Sequence, residues 1–369
     1  MYNDIYTGKN ALITGHTGFK GAWLTIYLQH LGANVVGYAL DPPGQPNLFE
    51  KAGLEPTITH YHADIRDTDK LAGVLREHEI DVVFHLAAQA LVITSYEDPL
   101  ETFDVNVMGS LSVLEAVRRS ERRCMVMMIA TDKVYENREW HYGYRENDPL
   151  GGFDPYSASK AAMEIAVASY RSSFFNPAAH AQHGVAVASG RAGNVIGGGD
   201  WADKRIIPDA VREFAAGRLL EVRSPRAVRP WQHVLEPLSG YLWVVAKLCT
   251  QPEPQWMSAW NFGPQITEVY TVADLIDAVI AAWGSGEWRD VSERKQYHEA
   301  GLLQLSIDRA HALLGWKPVW DFPATVERTV KWYKHALTND DAQAIRNLCL
   351  DDIRAYESTA AKHHLAWTR

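Results

Sequence analysis

The chain has 369 residues, 47% of them hydrophobic, 13 tryptophans and a formal net charge of −9, a balance that argues against nucleic acid or an anionic membrane surface as a partner. No apolar run approaches the ~20 residues of a membrane span, and no basic-then-apolar leader opens the chain. Only Cys124, Cys249 and Cys349 are present, which excludes a disulfide framework or a cysteine-built zinc site and suits a reducing cytoplasm.

The first element is the apolar run Asn10–Thr14, which reads as a buried parallel strand. Gly15-His16-Thr17-Gly18-Phe19-Lys20-Gly21 follows at once, then a helix-period stretch from Ala22 to Leu28. Strand, glycine-rich turn and helix are the context in which a pyrophosphate docks on a helix N-terminus, so all seven turn residues are assigned to a dinucleotide. The spacing is Gly-x-x-Gly-x-x-Gly, not the commoner Gly-x-Gly-x-x-Gly, and His16 inside it threatens to crowd the cofactor. A second strand (Asn34 to Ala39) leads to Asp41. A carboxylate there accepts both ribose hydroxyls and favours NAD over NADP; the competing reading is a solvated turn before Pro42-Pro43.

A third strand (Thr57 to His62) precedes Asp64, placed to meet the adenine amino group, with Ile65 beside it. The fourth (Asp81 to Ala88) ends in small residues, so Ala87, Ala88 and Gln89 can bring backbone close to the cofactor. Pro99 to Ser120 reads as one long helix carrying Asn106, which is grouped with the cofactor residues. Cys124 to Ala130 is a fifth strand that delivers Thr131-Asp132-Lys133 at its C-terminal end. A helix from Tyr156 to Phe174 and a sixth strand (Gly184 to Ser189) complete the alternation. Every motif falls at the strand C-termini, where open parallel sheets bind ligands.

Tyr156 and Lys160 are four residues apart, so on a helix they share a face. A tyrosine of pKa ~10 needs roughly 3 units of depression, ~4 kcal/mol, to act as a base near neutrality. One cation ~4 Å away at an effective dielectric of ~20 supplies about that much. Beyond Arg191 the pattern loosens: a loop Gly197–Trp201, a helix Ile206–Ala216, a loop Arg229–His233, then short elements to Tyr333. Residues 1–190 are therefore expected to form a Rossmann-type dinucleotide domain, and 191–369 mainly a substrate lobe with some segments returning to the first. Arg229, before Pro230 in an apolar setting, suits a diphosphate; Arg205 is a weaker candidate, and Asn194 and Gln89 are placed on the substrate. Trp140, Trp201 and Trp231 are assigned to pocket wall or core, and the tail beyond Asn339 to a peripheral helix. The 15 histidines show no ligand spacing, so no metal is expected. The fold class is α/β, a doubly wound parallel sheet with a smaller C-terminal α/β lobe.

Taken together these motifs resemble the extended short-chain dehydrogenase/reductases and, within them, the CDP-D-glucose 4,6-dehydratases. The resemblance runs from about Asn10 to about Tyr333. Its carriers include Thr131-Asp132-Lys133, Tyr135 to Trp140, Arg191 to Trp201 and Arg229 to Pro237; the narrow ones are the Asp132-Lys133 pair, the run Glu136 to Trp140 and the loop Gly197 to Trp201. It implies oxidation of the sugar at C4 with Tyr156 as base, Thr131 holding the hydroxyl and Lys160 supporting the tyrosine. It further implies water loss with Asp132 as acid at C6 and Lys133 as base at C5, where most relatives carry Glu. Bound NAD is recycled within each turnover, and the product serves deoxysugar or O-antigen-type polysaccharide synthesis. The helices from Pro99 and Tyr156 correspond to an intersubunit four-helix bundle, implying a homodimer or homotetramer. Ala90 and Ile93 stand where relatives often have Pro and Arg. The competing readings are a nucleotide-sugar 4-epimerase, a dTDP- or UDP-glucose dehydratase, and a non-catalytic NAD-binding regulator.

Overall fold

A computed structural model describes residues 1–294 and 300–369. Seven parallel strands form its centre: β1 (Asn10–Thr14), β2 (Asn34–Ala39), β3 (Thr59–His62), β4 (Val82–His85), β5 (Met125–Ile129), β6 (Ala186–Ala192) and β7 (Ala259–Phe262). Their spatial order is β7-β6-β5-β4-β1-β2-β3. Register is set by pairs such as Leu12 with Val36 on one side and Val83 on the other. Alternation along the strands then buries both faces: Ala11, Ile13, Phe84 and Met127 enter one core, Leu12, Val36, Val83 and Met128 the other.

Helices cover both faces. Those used below are α1 (Phe19–His30), α2 (Thr68–Glu77), α3 (Val92–Glu97), α4 (Pro99–Phe103), α5 (Ser110–Ser120), α6 (Pro155–Ser173), α7 (Ile206–Ala215), α8 (Leu235–Thr250) and α9 (Ala342–Lys362). Helices α1, α8 and α9 pack into the first core through residues such as Trp23, Leu242 and Ile353. Helices α2, α5 and α6 pack into the second through Leu75, Val113 and Met163. No helix among the described residues is long and apolar enough to cross a membrane.

Several expectations need correction. The stretch 99–120 is not one α-helix: α4 and α5 are joined by a π-helical turn, Asp104–Gly109. Helix α3 was not foreseen. The Arg229–His233 loop contributes two-residue strands at Val228–Arg229 and Gln232–His233. The tail is not peripheral, because Ile345, Cys349, Ile353, Tyr356 and Ala360 form a stripe at helical spacing and all are buried. Trp367 beyond it is fully buried, stacked on Tyr2 (5.2 Å) and Tyr356 (5.7 Å). Strand β7 returns to the sheet beside β6, Ala259 opposite Ser189. The strand order reverses between β1 and β4, and a cavity of about 1290 Å³ lies there, lined by residues that follow the strands' C-terminal ends.

Candidate active site

The glycine turn builds one part of this cavity. Gly15 has φ +74°, and a Cβ on it would lie 2.6 Å from the Ala87 amide nitrogen. A Cβ on Gly21 would lie 2.2 Å from the Gly15 carbonyl, so only glycine allows the turn to close this tightly against α1. Gly18 is the N-cap of α1 and offers no side chain to its first amides, the arrangement that receives an anion. Thr17, Phe19, Lys20, Ala88 and Ile65 line the same cavity. Burial, with Arg205 and Lys160 nearby, pushes the Lys20 ammonium down to about 8. Asp41 stands exposed at the rim, 3.3 Å from the His62 ring. The Asp64 carboxylate accepts the Arg66 amide (2.9 Å) and guanidinium, which hold it below its ordinary pKa. These residues fit a dinucleotide.

Two residues assigned to the cofactor do not reach the cavity. The His16 ring is buried the other way, Nε2 2.7 Å from His60 Nδ1 and edge-on to Phe49. It lies over Gly37, where a Cβ would sit 2.5 Å from the ring, and burial pushes its pKa down to about 3. It therefore packs the back of the turn instead of crowding a ligand. Asn106, in the π-helical turn, is also fully buried. Its Oδ1 accepts the Gln89 amide (2.9 Å), and its Nδ2 donates to the Gln89 carbonyl (3.0 Å) and Ser159 Oγ (2.9 Å). Asn106 is a clamp tying the end of β4 to the Tyr156 helix.

The reacting groups come from β5 and α6. Past β5, Thr131 caps a single 3-10 turn, Asp132–Val134. Asp154 caps α6, accepting the Ser157 amide (2.9 Å) and hydroxyl (2.7 Å), and Pro155 follows as the first helical residue. That cap fixes Tyr156 in the first turn with Lys160 one turn on. Thr131, Asp132, Lys133, Tyr156 and Lys160 all line the cavity. Thr131 Oγ1 donates to Asp132 Oδ1 (2.9 Å) and acts on the Tyr156 phenol, whose pKa it lowers. Asp132 is buried and its Oδ2 has no partner among the described residues. Burial raises its pKa against the pull of Lys133. Lys133 is half-buried, and among the described residues its ammonium has neither hydrogen bond nor ion pair.

The tyrosine does not behave as its spacing suggested. Lys160 Nζ donates to the Ile129 carbonyl (2.9 Å), and burial lowers its own pKa to about 8. Burial also pushes Tyr156 up to about 12, with Thr131 and the Arg205 charge opposing it. Desolvation of the phenol dominates, and the cation that opposes it is Arg205, not Lys160 as the spacing suggested.

On the substrate side, Asn194 lines the cavity with its Oδ1 buried and without a partner among the described residues, as are the indole N–H groups of Trp201 and Trp231. Arg205 is committed to Asp200 (2.9 Å), which places its charge beside Tyr156. Arg229 lines the cavity while donating to the Val228 (2.9 Å) and Ala300 (2.7 Å) carbonyls. Gln89 lines it too, but its side chain is spent locally: Nε2 donates to Thr102 (2.8 Å) and Oε1 accepts the Leu91 amide (2.6 Å). Ala90 and Ile93 contribute apolar wall. Trp140 is absent from the lining and packs at 5.4 Å on Tyr144. Trp201 and Trp231 line the cavity, as the pocket-wall reading allowed; Asp154 was not singled out from sequence as the cap, although the Asp154-Pro155 pair carries that signal.

This sheet, glycine turn and Tyr-Lys helix define a dinucleotide-dependent enzyme of the extended short-chain dehydrogenase/reductase type. The chain belongs to the GDP-mannose 4,6 dehydratase family, whose profile matches residues 12–329. It is 46% identical over 338 residues to the CDP-glucose 4,6-dehydratase of Salmonella typhimurium, covering 92% of this chain and 94% of that one. Among solved structures it resembles the Thermus thermophilus UDP-glucose 4-epimerase complex with NAD (TM-score 0.74, 25% identity, 88% and 99% of the two chains). It also resembles the dTDP-glucose 4,6-dehydratase of Bacillus anthracis in complex with NAD (TM-score 0.72, 21% identity, 89% and 97%), a likeness of fold.

Proposed function

We propose that this chain is an NAD-dependent hydro-lyase that converts CDP-D-glucose to CDP-4-keto-6-deoxy-D-glucose and water. The observation that carries the reading is Asp132, a buried carboxyl with one free oxygen, next to Lys133 and one hydrogen bond from the Thr131–Tyr156 pair. The extensive identity to the Salmonella enzyme supports the same reaction. An epimerase that only oxidises C4 has no use for that second acid/base couple.

NAD, which the Gly15–Gly21 turn and Asp64 would hold, would supply the hydride acceptor for C4 and donor for C6, and its cationic ring would add to the charges favouring a phenolate. Tyr156 accepts the C4 hydroxyl proton while Thr131 orients that hydroxyl. The C4 ketone acidifies the C5 hydrogen, which Lys133 removes when its side chain is the neutral amine. Asp132 gives its proton to the departing C6 hydroxyl, and water leaves. Lys133 then returns a proton to C5 as C6 is reduced. Asn194 and Arg229 bind the sugar and diphosphate, and the orphaned Asn194 oxygen accepts a donor from the ligand.

The assembly we infer is a homodimer or homotetramer built on α4 to α6, where Leu100, Phe103, Met108, Ile165 and Phe174 are large apolar side chains exposed to solvent. Three free cysteines fit a cytoplasmic enzyme of deoxysugar synthesis. The test is incubation with CDP-glucose and NAD followed by mass analysis. A product lighter by one water supports the reading; an isomer of unchanged mass, or no product, overturns it.

A further inference from the structure

Within the long lining of the cavity, three groups of residues stand apart by element. The glycine turn with Asp41 and Asp64 forms one, and Thr131, Asp132, Tyr156 and Lys160 form the second. The third comes from α7 and the strand Leu220–Val222 with its following turn, and includes Pro208, Asp209, Val222, Arg223 and Ser224. A dinucleotide in the first group and a hexose at the second leave the third for the substrate's nucleobase. A polar group is wanted there: Ser224 Oγ is buried without a partner among the described residues.

Cytosine differs from uracil and thymine at C4, where it carries an amine in place of a carbonyl. A carboxylate accepts from the amine and repels the carbonyl, the same discrimination by which Asp or Glu reads cytosine in nucleic acids. Near a substrate diphosphate a carboxylate costs repulsion, so its presence calls for a reason. Of the acidic groups at this end, Asp203 is 87% exposed and Glu221 is exposed and held by Arg289. Asp209 differs. It lies in the first turn of α7, 34% exposed, with Oδ1 2.5 Å from Arg212. Arg212 is itself anchored on the Trp201 carbonyl (3.0 Å), so the carboxylate is fixed by a rigid element while retaining unused lone pairs.

We propose that Asp209 reads the exocyclic amine of the nucleobase and makes the cavity selective for cytidine over uridine and thymidine sugar nucleotides. The proposal rests on the dehydratase reading and deepens it. The experiment compares kcat/KM for CDP-, UDP- and dTDP-glucose in the wild type and in Asp209→Asn, whose amide can donate to a carbonyl. The wild type should favour CDP-glucose by about 10-fold or more, and the variant should erase most of that ratio. A ratio unchanged in a folded, active variant overturns the proposal and leaves Asp209 as a mere anchor for Arg212. Where the variant is poorly folded, calorimetry of CDP against UDP binding to the wild type decides instead. Tighter CDP binding supports the proposal; equal binding overturns it. Turnover of none of the three sugars by the wild type strikes the dehydratase reading, and the binding comparison remains decisive for Asp209.

Discussion

Glu236 offers the sharpest stability prediction. It lies at the start of α8, fully buried, with Oε1 accepting the Trp320 amide (2.8 Å) and Oε2 accepting the Val319 amide (3.0 Å) and Tyr356 hydroxyl (2.7 Å). Burial outweighs those three donors and pushes its pKa up to about 7 from an ordinary 4.5. Because the folded value exceeds the unfolded one, the associated stability is fully present below about 4.5 and is lost as pH rises through about 7. A gap of about 2.5 units corresponds to about 3 kcal/mol. Glu236→Gln removes the titration and turns one acceptor into a donor facing the Val319 amide, costing about 1–3 kcal/mol at pH 5. Urea unfolding followed by tryptophan fluorescence at pH 5, 6, 7 and 8 should show the wild type losing its advantage over the variant as pH rises. Curves that stay parallel across that range would refute the reasoning.

Four further outcomes follow from the site. Tyr156→Phe should lower kcat by about 10²–10⁴-fold with little change in fold, read by turnover and circular dichroism. Lys133→Met should oxidise the sugar without eliminating water, so absorbance of reduced cofactor should build up on mixing with CDP-glucose; undiminished elimination would remove the lysine from its role. Since Asp132 must carry a proton to act, turnover should fall as pH rises past its elevated pKa, and Asp132→Asn should remove that limb from the profile. Asn106→Ala strips partners from the Gln89 backbone and Ser159, and should cost about 2 kcal/mol or more by denaturant midpoint.

Local features were legible in the sequence, and non-local ones were not. The run Asn10–Thr14, its glycine turn and the pair Tyr156–Lys160 each carry their meaning within a few residues, and the structure puts them at one sheet edge. His16 is the counterexample: a side chain within a ligand-binding turn faces backwards because His60, 44 residues on, offers it a partner. The Tyr156 pKa was misjudged for a related reason. Spacing reveals the neighbouring cation but not the burial of the phenol, nor the Ile129 carbonyl that accepts the Lys160 hydrogen bond. Arg205, a weaker diphosphate candidate by sequence, lines the cavity and is paired with Asp200, five residues before it, a partner the sequence pattern does not reveal. The stripe from Ile345 to Ala360 was readable as an amphipathic face; its burial on α1 depended on where the chain's last helix returned.

The most direct measurement follows a deuterium atom. CDP-glucose carrying deuterium at C4 is incubated with the enzyme and catalytic NAD, and the product is read by NMR. Internal hydride return joined to water loss predicts a 4-keto-6-deoxy sugar with the label at C6. Label restored to C4 of an inverted sugar, or exchanged into solvent, would contradict the account.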